Sequence, residues 1–413
     1  MRPIRIAFLA SVIAGVSCTA TQEPRFPAPR TGAWRLDLDL NGELLPVPIE
    51  LDHDTAGWTM VVQNGEEHIV VRDIEFHADT VHIRMPLYDS EFRGIVRNDS
   101  VIVGAWHNYL KGPDYSIPFT ARAGQHPRFD AFSPAKASLA GTWETHFSRG
   151  TPDAYDAIGL FAQDGAHLSG TFGTETGDYR FLDGVVSGDS LALSCFDGSH
   201  AFLFKAELRN DSLLGRYWSG VHWQEPWVAV RNPSYRLRDP DSLTFLREGY
   251  TMADFSFPSI DGPMVSPKDS THSGKVLMVQ VMGSWCPNCV DETRLLDEMY
   301  AEYRDRGLGV IAVAFEKYED PAKAVAQLKR FRDNLDVRYD IVYAGRANKE
   351  EASAKLPFLD HVMSYPTCIF IDRKGMVRRI RTGFYGPGTG PHYANYERNL
   401  RSFLEQLLAE PGN

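Results

Sequence analysis

The sequence has few cysteines, little positive charge and no long apolar run. Five cysteines in 413 residues are too few for a disulfide-stapled scaffold. The 43 lysines and arginines are outnumbered by 54 aspartates and glutamates, and the net charge of −11 disfavours nucleic acid as a partner. No stretch of about 18 apolar residues is present, so a membrane-spanning helix is not predicted.

What is present is typical of a folded chain of several domains. The composition is 43% hydrophobic and 23% charged, which is too apolar for disorder. At roughly 150 residues per domain, the length predicts two to three domains.

The N-terminus has the layout of an export signal. Arg2 and Arg5 precede an apolar run from Ile6 to Val16, and Gly15-Val16-Ser17-Cys18 resembles the lipobox of bacterial lipoproteins. We therefore expect residues 1–18 to be a signal, with Cys18 lipidated as a membrane anchor, and residues 19–30 to be a Pro-rich tether. The alternative is an ordinary cleavage after the Cys18-Thr19-Ala20 stretch. The predicted location is the bacterial cell envelope, on the periplasmic side.

Residues 31–232 form short alternating segments that predict antiparallel β structure, either barrels or sandwiches. Three markers recur in the same order at similar offsets and predict two copies of one unit, residues 31–128 and 129–232. The pairs are Gly32-Ala33-Trp34 with Gly141-Thr142-Trp143, Asp79-Thr80-Val81 with Asp189-Ser190-Leu191, and Arg97-Asn98-Asp99-Ser100 with Arg209-Asn210-Asp211-Ser212.

After a linker at residues 233–250, strands alternate with helices over residues 251–413, which predicts an α/β domain with a parallel portion. The fold class is therefore multidomain, with a duplicated all-β N-terminal region and an α/β C-terminal domain. Predicted strands are Val276–Val281, Gly309–Phe315, Tyr339–Tyr343, Thr367–Ile371 and Met376–Arg381; predicted helices are Asn288–Arg306, Pro321–Leu335 and Tyr393–Ala409.

The run Trp285-Cys286-Pro287-Asn288-Cys289 follows a buried strand and opens a helix, a context that favours a redox pair over a metal site. Zinc would need two more ligands, so neither a metal nor a cofactor is predicted. The helix N-terminus favours an anion, which predicts the Cys286 thiolate as the nucleophile. Cys289, one turn later, is then placed to close the disulfide.

A second motif, Ser364-Tyr365-Pro366-Thr367, resembles the cis-proline loop of thioredoxin folds and predicts a cis bond before Pro366. Residues 245–411 resemble the TlpA/ResA-like branch of the thioredoxin superfamily. The resemblance is carried by this proline motif together with the cysteine motif, Glu292 and Asp261-Gly262. The chain departs from that pattern at Asn288, where the family often has proline, and at Arg294, where the family often has a proline after the glutamate.

This resemblance implies an exported, membrane-tethered thiol-disulfide oxidoreductase that acts on exported protein thiols and disulfides with a membrane or periplasmic electron donor. Its catalytic residues would be Cys286, Cys289, Glu292 and Pro366, and its substrate contacts Trp285, Tyr365 and Thr367. Glu292 would raise the pKa of the neighbouring thiol or accept its proton; the alternative is a solvated helix glutamate beside Asp291, which is expected to be a surface charge.

Two other functions stay open at this point. A cell-envelope protein could use its β repeats to bind a ligand or partner, with the redox unit secondary. A peroxidase would need a Pro-x-x-x-Thr-x-x-Cys context, which the chain lacks. We favour a reductant, because a Glu292 charge beside the pair would oppose the helix dipole and leave the thiolate only moderately stabilised. The turn Gly386–Gly390 is expected to border the cysteine site, and Cys368 to be a buried hydrophobe.

Overall fold

The computed structural model describes residues 28–412 as two antiparallel sheets followed by an α/β unit, which confirms the predicted fold class. The predicted signal, Cys18 and most of the tether lie outside the described residues.

The first sheet has nine strands in the order β4-β3-β2-β1-β9-β8-β7-β6-β5. Alternate residues of its strands point inward, so Trp34, Leu36 and Leu38 are buried along β1. The strands are β1 Gly32–Leu40, β2 Glu43–Asp54, β3 Gly57–Asn64, β4 Glu67–Val71, β5 Asp73–His77, β6 Thr80–Arg84, β7 Ser90–Asn98, β8 Val101–Asn108 and β9 Ser116–Ala123.

The second sheet also has nine strands, and it closes on itself because β12 pairs with both β11 and β14. Its interior is aromatic, with Phe147, Phe172 and Phe204 fully buried. The strands are β10 Gly141–Phe147, β11 Tyr155–Asp164, β12 His167–Thr174, β13 Gly177–Asp178, β14 Leu182–Ser187, β15 Ser190–Phe196, β16 Ala201–Arg209, β17 Ser212–Ser219 and β18 Trp223–Arg231.

The two sheets repeat each other in detail, which confirms the predicted duplication. The indole nitrogen of Trp34 donates to the Arg30 carbonyl at 2.9 Å, and that of Trp143 donates to the Leu139 carbonyl at 2.8 Å. The Asn98-Asp99-Ser100 turn joins β7 to β8, as its counterpart at residues 210–212 joins β16 to β17.

The α/β unit has a five-stranded sheet in the order β23-β22-β21-β24-β25. β21 and β22 are parallel, as are β22 and β23, and β24 and β25 run antiparallel to their neighbours. The sheet strands are β21 Val276–Met282, β22 Leu308–Glu316, β23 Asp340–Arg346, β24 Thr367–Ile371 and β25 Val377–Thr382; a small hairpin, β19 Phe257–Pro258 and β20 Met264–Val265, precedes them.

Four α-helices pack on this sheet: α1 Pro287–Tyr303, α2 Pro321–Leu335, α3 Lys349–Lys355 and α4 Pro391–Ala409. The bounds of α2 are as predicted, and the Asp320 side chain caps it by accepting the Ala322 amide at 2.9 Å. The sequence analysis missed α3, because only Ala352 of its seven residues is buried and no apolar periodicity marks it. Within residues 28–412, no helix has the length and apolar character needed to cross a membrane.

The first sheet packs directly on the α/β unit. Leu87 and Tyr88, in the loop between β6 and β7, belong to the hydrophobic core of the α/β unit. The Gln327 side chain of α2 donates to the Leu87 carbonyl at 2.7 Å, and the Tyr318 hydroxyl donates to Asp89 at 3.0 Å. The β region and the α/β unit therefore share buried surface.

Candidate active site

The cysteine pair lies at the carboxyl end of β21. All seven residues of β21 are buried, so the strand fixes the start of the next loop rigidly. Cys286 is the N-cap of α1 and Pro287 its first residue, where a missing N–H breaks no helical bond. The Cys286 sulfur accepts the Cys289 amide at 3.3 Å, and both cysteines are free thiols. The helix N-terminus thus supplies a donor to the first sulfur, as the sequence predicted.

The proline loop faces this sulfur. The Tyr365–Pro366 peptide bond is cis, as predicted, and the Cys286 thiol donates to the Tyr365 carbonyl at 3.4 Å. Trp285 stands edge-on to Tyr365, with ring centroids 5.5 Å apart. The structure therefore brings Trp285, Tyr365 and Pro366 around Cys286.

The Thr367 side chain does not reach the space around the Cys286 sulfur. Its side chain is fully buried at the start of β24, and its hydroxyl donates to the Ser364 carbonyl at 2.9 Å. Its predicted contact with a bound chain stays a prediction.

Cys289 and Glu292 lie inward from Cys286, and neither is exposed. Burial, together with the neighbouring Cys286 sulfur, holds the pKa of Cys289 well above its usual value. Burial also raises the pKa of Glu292 to about 8, against the opposing hydrogen bond that the Gln280 amide donates to it at 3.0 Å. The same Gln280 amide donates to the Cys289 carbonyl at 3.3 Å. The solvated-glutamate alternative is wrong, while the catalytic role of Glu292 stays a prediction.

Asp291 is buried, and the expectation that it is a surface charge is wrong. It is only 5% exposed, and Arg180 from the segment between β13 and β14 donates to it. Arg180 also pairs with Glu67 at the start of β4, so one guanidinium joins both sheets to α1. The helix sequence alone cannot show this burial, because the covering residues come from another part of the chain.

The second sheet packs against one side of the active site. The Asn288 amide donates to the Asp178 carbonyl at 3.4 Å, and the Ser364 hydroxyl donates to the Thr176 carbonyl at 3.0 Å. The Gly386 amide donates to the Asp178 carboxylate at 2.5 Å, so the turn before α4 faces the second sheet. What remains in front of the sulfur is a cavity of about 320 Å³, and Cys286 is only 7% exposed.

Two functional candidates escaped the sequence analysis, Glu316 and Lys317. Glu316 is fully buried and accepts both the amide and the hydroxyl of Ser284 at 2.8 Å, and burial raises its pKa to about 7. The Lys317 ammonium lies 4.2 Å from the centroid of a Trp285 ring. Burial lowers the pKa of Lys317, while charge on Cys286 would raise it. The sequence signal that could have identified these two residues is a charged pair at the carboxyl end of a buried parallel strand.

The other cysteines stand apart from the motif. Cys368 and Cys195 are buried free thiols, and burial raises the pKa of each well above its usual value. Among residues 28–412, no group of three or more histidine, cysteine or acidic side chains has the arrangement of a metal site.

A Cys-x-x-Cys at a helix start, set against a cis-proline loop on a mixed sheet, defines the thioredoxin class of fold and site. Comparison with known proteins agrees. The AhpC/TSA family model matches residues 249–380. The thioredoxin-like protein YneN of Bacillus subtilis is 30% identical over 138 residues, which are 33% of this chain and 73% of that protein.

Two further proteins are similar to part of this chain. The thiol-disulfide oxidoreductase ResA of Halalkalibacterium halodurans is 25% identical over 33% of this chain and 69% of its own length. A crystal structure of a thioredoxin-family thiol:disulfide interchange protein from Chlorobium tepidum is 20% identical, with a TM-score of 0.30, over 40% of this chain and 99% of that one. The chain belongs, through its C-terminal domain, to the TlpA/ResA-like thiol-disulfide oxidoreductases of the thioredoxin superfamily.

Proposed function

We propose that the Cys286/Cys289 pair reduces disulfides of exported proteins. The observation that carries the proposal is the position of the Cys286 sulfur, which accepts the Cys289 amide at the start of α1 and lies against the Tyr365 carbonyl. A sulfur so placed is the more accessible of the two, because Cys289 is wholly buried.

The reaction runs through a mixed disulfide. The Cys286 thiolate attacks one sulfur of the substrate disulfide, a bond forms between them, and the substrate's other sulfur leaves as a thiolate that takes a proton. Cys289 then loses its proton and attacks the Cys286 sulfur, which releases the second substrate thiol and leaves an enzyme disulfide. An external dithiol donor must then reduce that disulfide for the next turnover.

Glu292 is the candidate acceptor for the Cys289 proton. A carboxyl group with a pKa of about 8 is ionised in only about a tenth of molecules at pH 7. The raised pKa of Glu292 brings it nearer to the raised pKa of the Cys289 thiol, and this lessens the cost of proton transfer between them.

The support for the reducing direction is the burial of the second cysteine. Burial holds the pKa of Cys289 well above its usual value, so the reduced pair gains little from a stabilised thiolate at this position. A less stabilised thiolate makes a less oxidising couple. We expect a reduction potential nearer to about −270 mV than to about −120 mV, measured by equilibration with glutathione or dithiothreitol buffers. A reduction potential near about −120 mV would instead indicate that the pair oxidises its substrates.

The proposed location is the periplasmic side of the bacterial envelope, with Cys18 as a lipid anchor and a membrane or periplasmic protein as electron donor. The support is the sequence of residues 1–30. Mass spectrometry of the mature N-terminus distinguishes an acylated Cys18 from a plain start at Thr21.

The decisive test of the cysteine roles is trapping. In Cys289→Ser, attack by Cys286 should proceed without resolution, so mixed disulfides with natural partners should accumulate on non-reducing gels. Cys286→Ser is the matched control and should trap little, since Cys289 is buried. Equal trapping by both variants would reverse the roles. Disulfide reduction compared with peroxide consumption by the wild-type protein separates this proposal from a peroxidase. Absence of both activities would favour a binding protein.

A further inference from the structure

The mouth of the second sheet opens beside the redox cavity. A cleft of about 880 Å³ lies at this mouth and shares Thr176 and Met363 with the cavity in front of Cys286. Tyr179 lines the cleft, while its neighbour Arg180 lines the cavity. The two spaces are contiguous, so a ligand that extends past Thr176 can occupy both.

A buried carboxylate lines this cleft. Glu225, on β18, is 3% exposed and accepts the Ser148 hydroxyl at 2.6 Å and the Tyr155 hydroxyl at 2.9 Å. The Tyr155 and Tyr179 hydroxyls are 2.6 Å apart, and burial raises the pKa of both, so they stay protonated. Each Glu225 oxygen takes one of these donors and retains room for another.

In the part of the chain that the structure describes, Glu225 has no cationic partner. Across residues 28–412, no lysine, arginine or histidine nitrogen lies within 4.0 Å of its oxygens. Two other acids of the cleft have a basic side chain beside them: the His146 ring meets Asp156 at 2.7 Å, and Arg238 pairs with Glu175.

The cleft as a whole is acidic. Four carboxylates and two guanidinium groups line it, and burial lowers the pKa of His222 to about 4, which leaves that ring neutral near pH 7. The Lys111 ammonium contacts the same ring at 3.2 Å, at the exposed rim. A buried carboxylate without a counter-ion is unfavourable, and a ligand cation would relieve it.

We propose that the redox substrate is a polypeptide segment with a lysine or arginine near its disulfide cysteine, and that this basic side chain enters the cleft and pairs with Glu225 while the cysteine reaches Cys286. This inference rests on the proposed function. The redox cavity, at about 320 Å³, fits one side chain with a stretch of extended backbone and is too small for a folded domain. The acidic cleft then selects among such segments by charge.

The test uses the full chain and three peptides that differ at one position near their single cysteine, which is lysine, glutamine or glutamate. Each peptide is joined through that cysteine to a chromogenic thiol, whose release reports reduction. We expect the wild-type protein to favour the lysine peptide over the glutamate peptide by about tenfold in kcat/KM, mainly through KM. Glu225→Gln should abolish the preference, and the exposed control Glu207→Gln should keep it.

Hydroxyethyl disulfide, a small uncharged substrate, monitors the chemistry in the same samples. Its reduction should be equal in the wild-type protein and in the Glu207→Gln control. If the wild type reduces it but treats the three peptides alike, or prefers the glutamate peptide, the cleft assignment is overturned and the proposed function stands. If the wild type reduces neither it nor any peptide, the proposed function itself fails. If Glu225→Gln does not fold, the preference of the wild-type protein among the three peptides still tests the cleft assignment.

Discussion

At the scale of single residues, Glu292 has the most informative environment. It lies behind Cys289 without exposure to water and accepts a hydrogen bond from the Gln280 amide. One of its carboxyl oxygens has no hydrogen-bond partner among residues 28–412. Because burial raises its pKa to about 8 from an ordinary value of 4.5, the folded protein holds a proton that the unfolded chain would release over that range. Its contribution to stability is therefore greatest below pH 4.5 and is lost as the pH rises through about 8.

Glu292→Gln should remove this loss. Relative to the wild type, the variant should gain stability between about pH 5 and pH 9, by up to about 4 kcal/mol, because glutamine has no proton to release. Thermal unfolding at several pH values measures the difference. Glu298→Gln, an exposed glutamate on the same helix, is the control and should show a constant offset. Parallel pH profiles for the Glu292 variant and the wild type would contradict the buried, protonated state.

At the scale of elements, the first turn of α1 is where three parts of the chain meet. Arg180 is 4% exposed and binds Asp291 of α1 and Glu67 of the first sheet, and it also donates to the Pro287 carbonyl at 3.4 Å. Removal of one partner from a buried ionic group leaves an uncompensated charge, which is more damaging than the pair is stabilising. The helix that carries the cysteines thus depends on a residue 111 positions away.

We expect Arg180→Met to destabilise the protein by about 3–5 kcal/mol and to raise the rate at which Cys286 is alkylated, because the wall around the site loosens. Arg294→Met is the matched control. Arg294 pairs with the same Asp291 at 3.2 Å but is half exposed, so its loss should cost less than about 1 kcal/mol. Thermal unfolding and iodoacetamide kinetics measure both effects. Similar behaviour of the two variants would mean that Arg180 has no special role.

At the scale of the whole molecule, the two sheets cover the redox unit on the face where its chemistry takes place. The sequence predicted a linker at residues 233–250 between the β region and the α/β domain, because the strand pattern ends there. In the structure, Leu87 and Tyr88 of the first sheet complete the core of the α/β unit. Separation would expose that apolar surface and open the cavity at Cys286.

Residues 245–413, expressed alone, should therefore reduce hydroxyethyl disulfide but lose any preference among the charged peptides, and should unfold at a lower temperature than the full chain. Circular dichroism and the peptide assay check both points. A fragment that does not fold would show that the β region is integral to the redox unit. A fragment that keeps the peptide preference would place the selectivity within the α/β unit.

What the sequence determined by itself is local. The capping of α2 by Asp320, the Cys286-Pro287 helix start and the indole hydrogen bonds of Trp34 and Trp143 all depend on residues a few positions apart. Short-range sterics, hydrogen bonding and apolar periodicity fix such features wherever the segment lies.

The tertiary structure alone decided the surroundings of the cysteines. The burial of Asp291 by Arg180, the wall formed at Asp178 and the cleft at Glu225 join residues that no spacing relates. The sequence around an acidic residue does not show whether water or a second sheet covers its side chain. The cavity in front of Cys286 and its charge arise only when the two sheets dock on the α/β unit, because the contacts that bury these groups are made at that step.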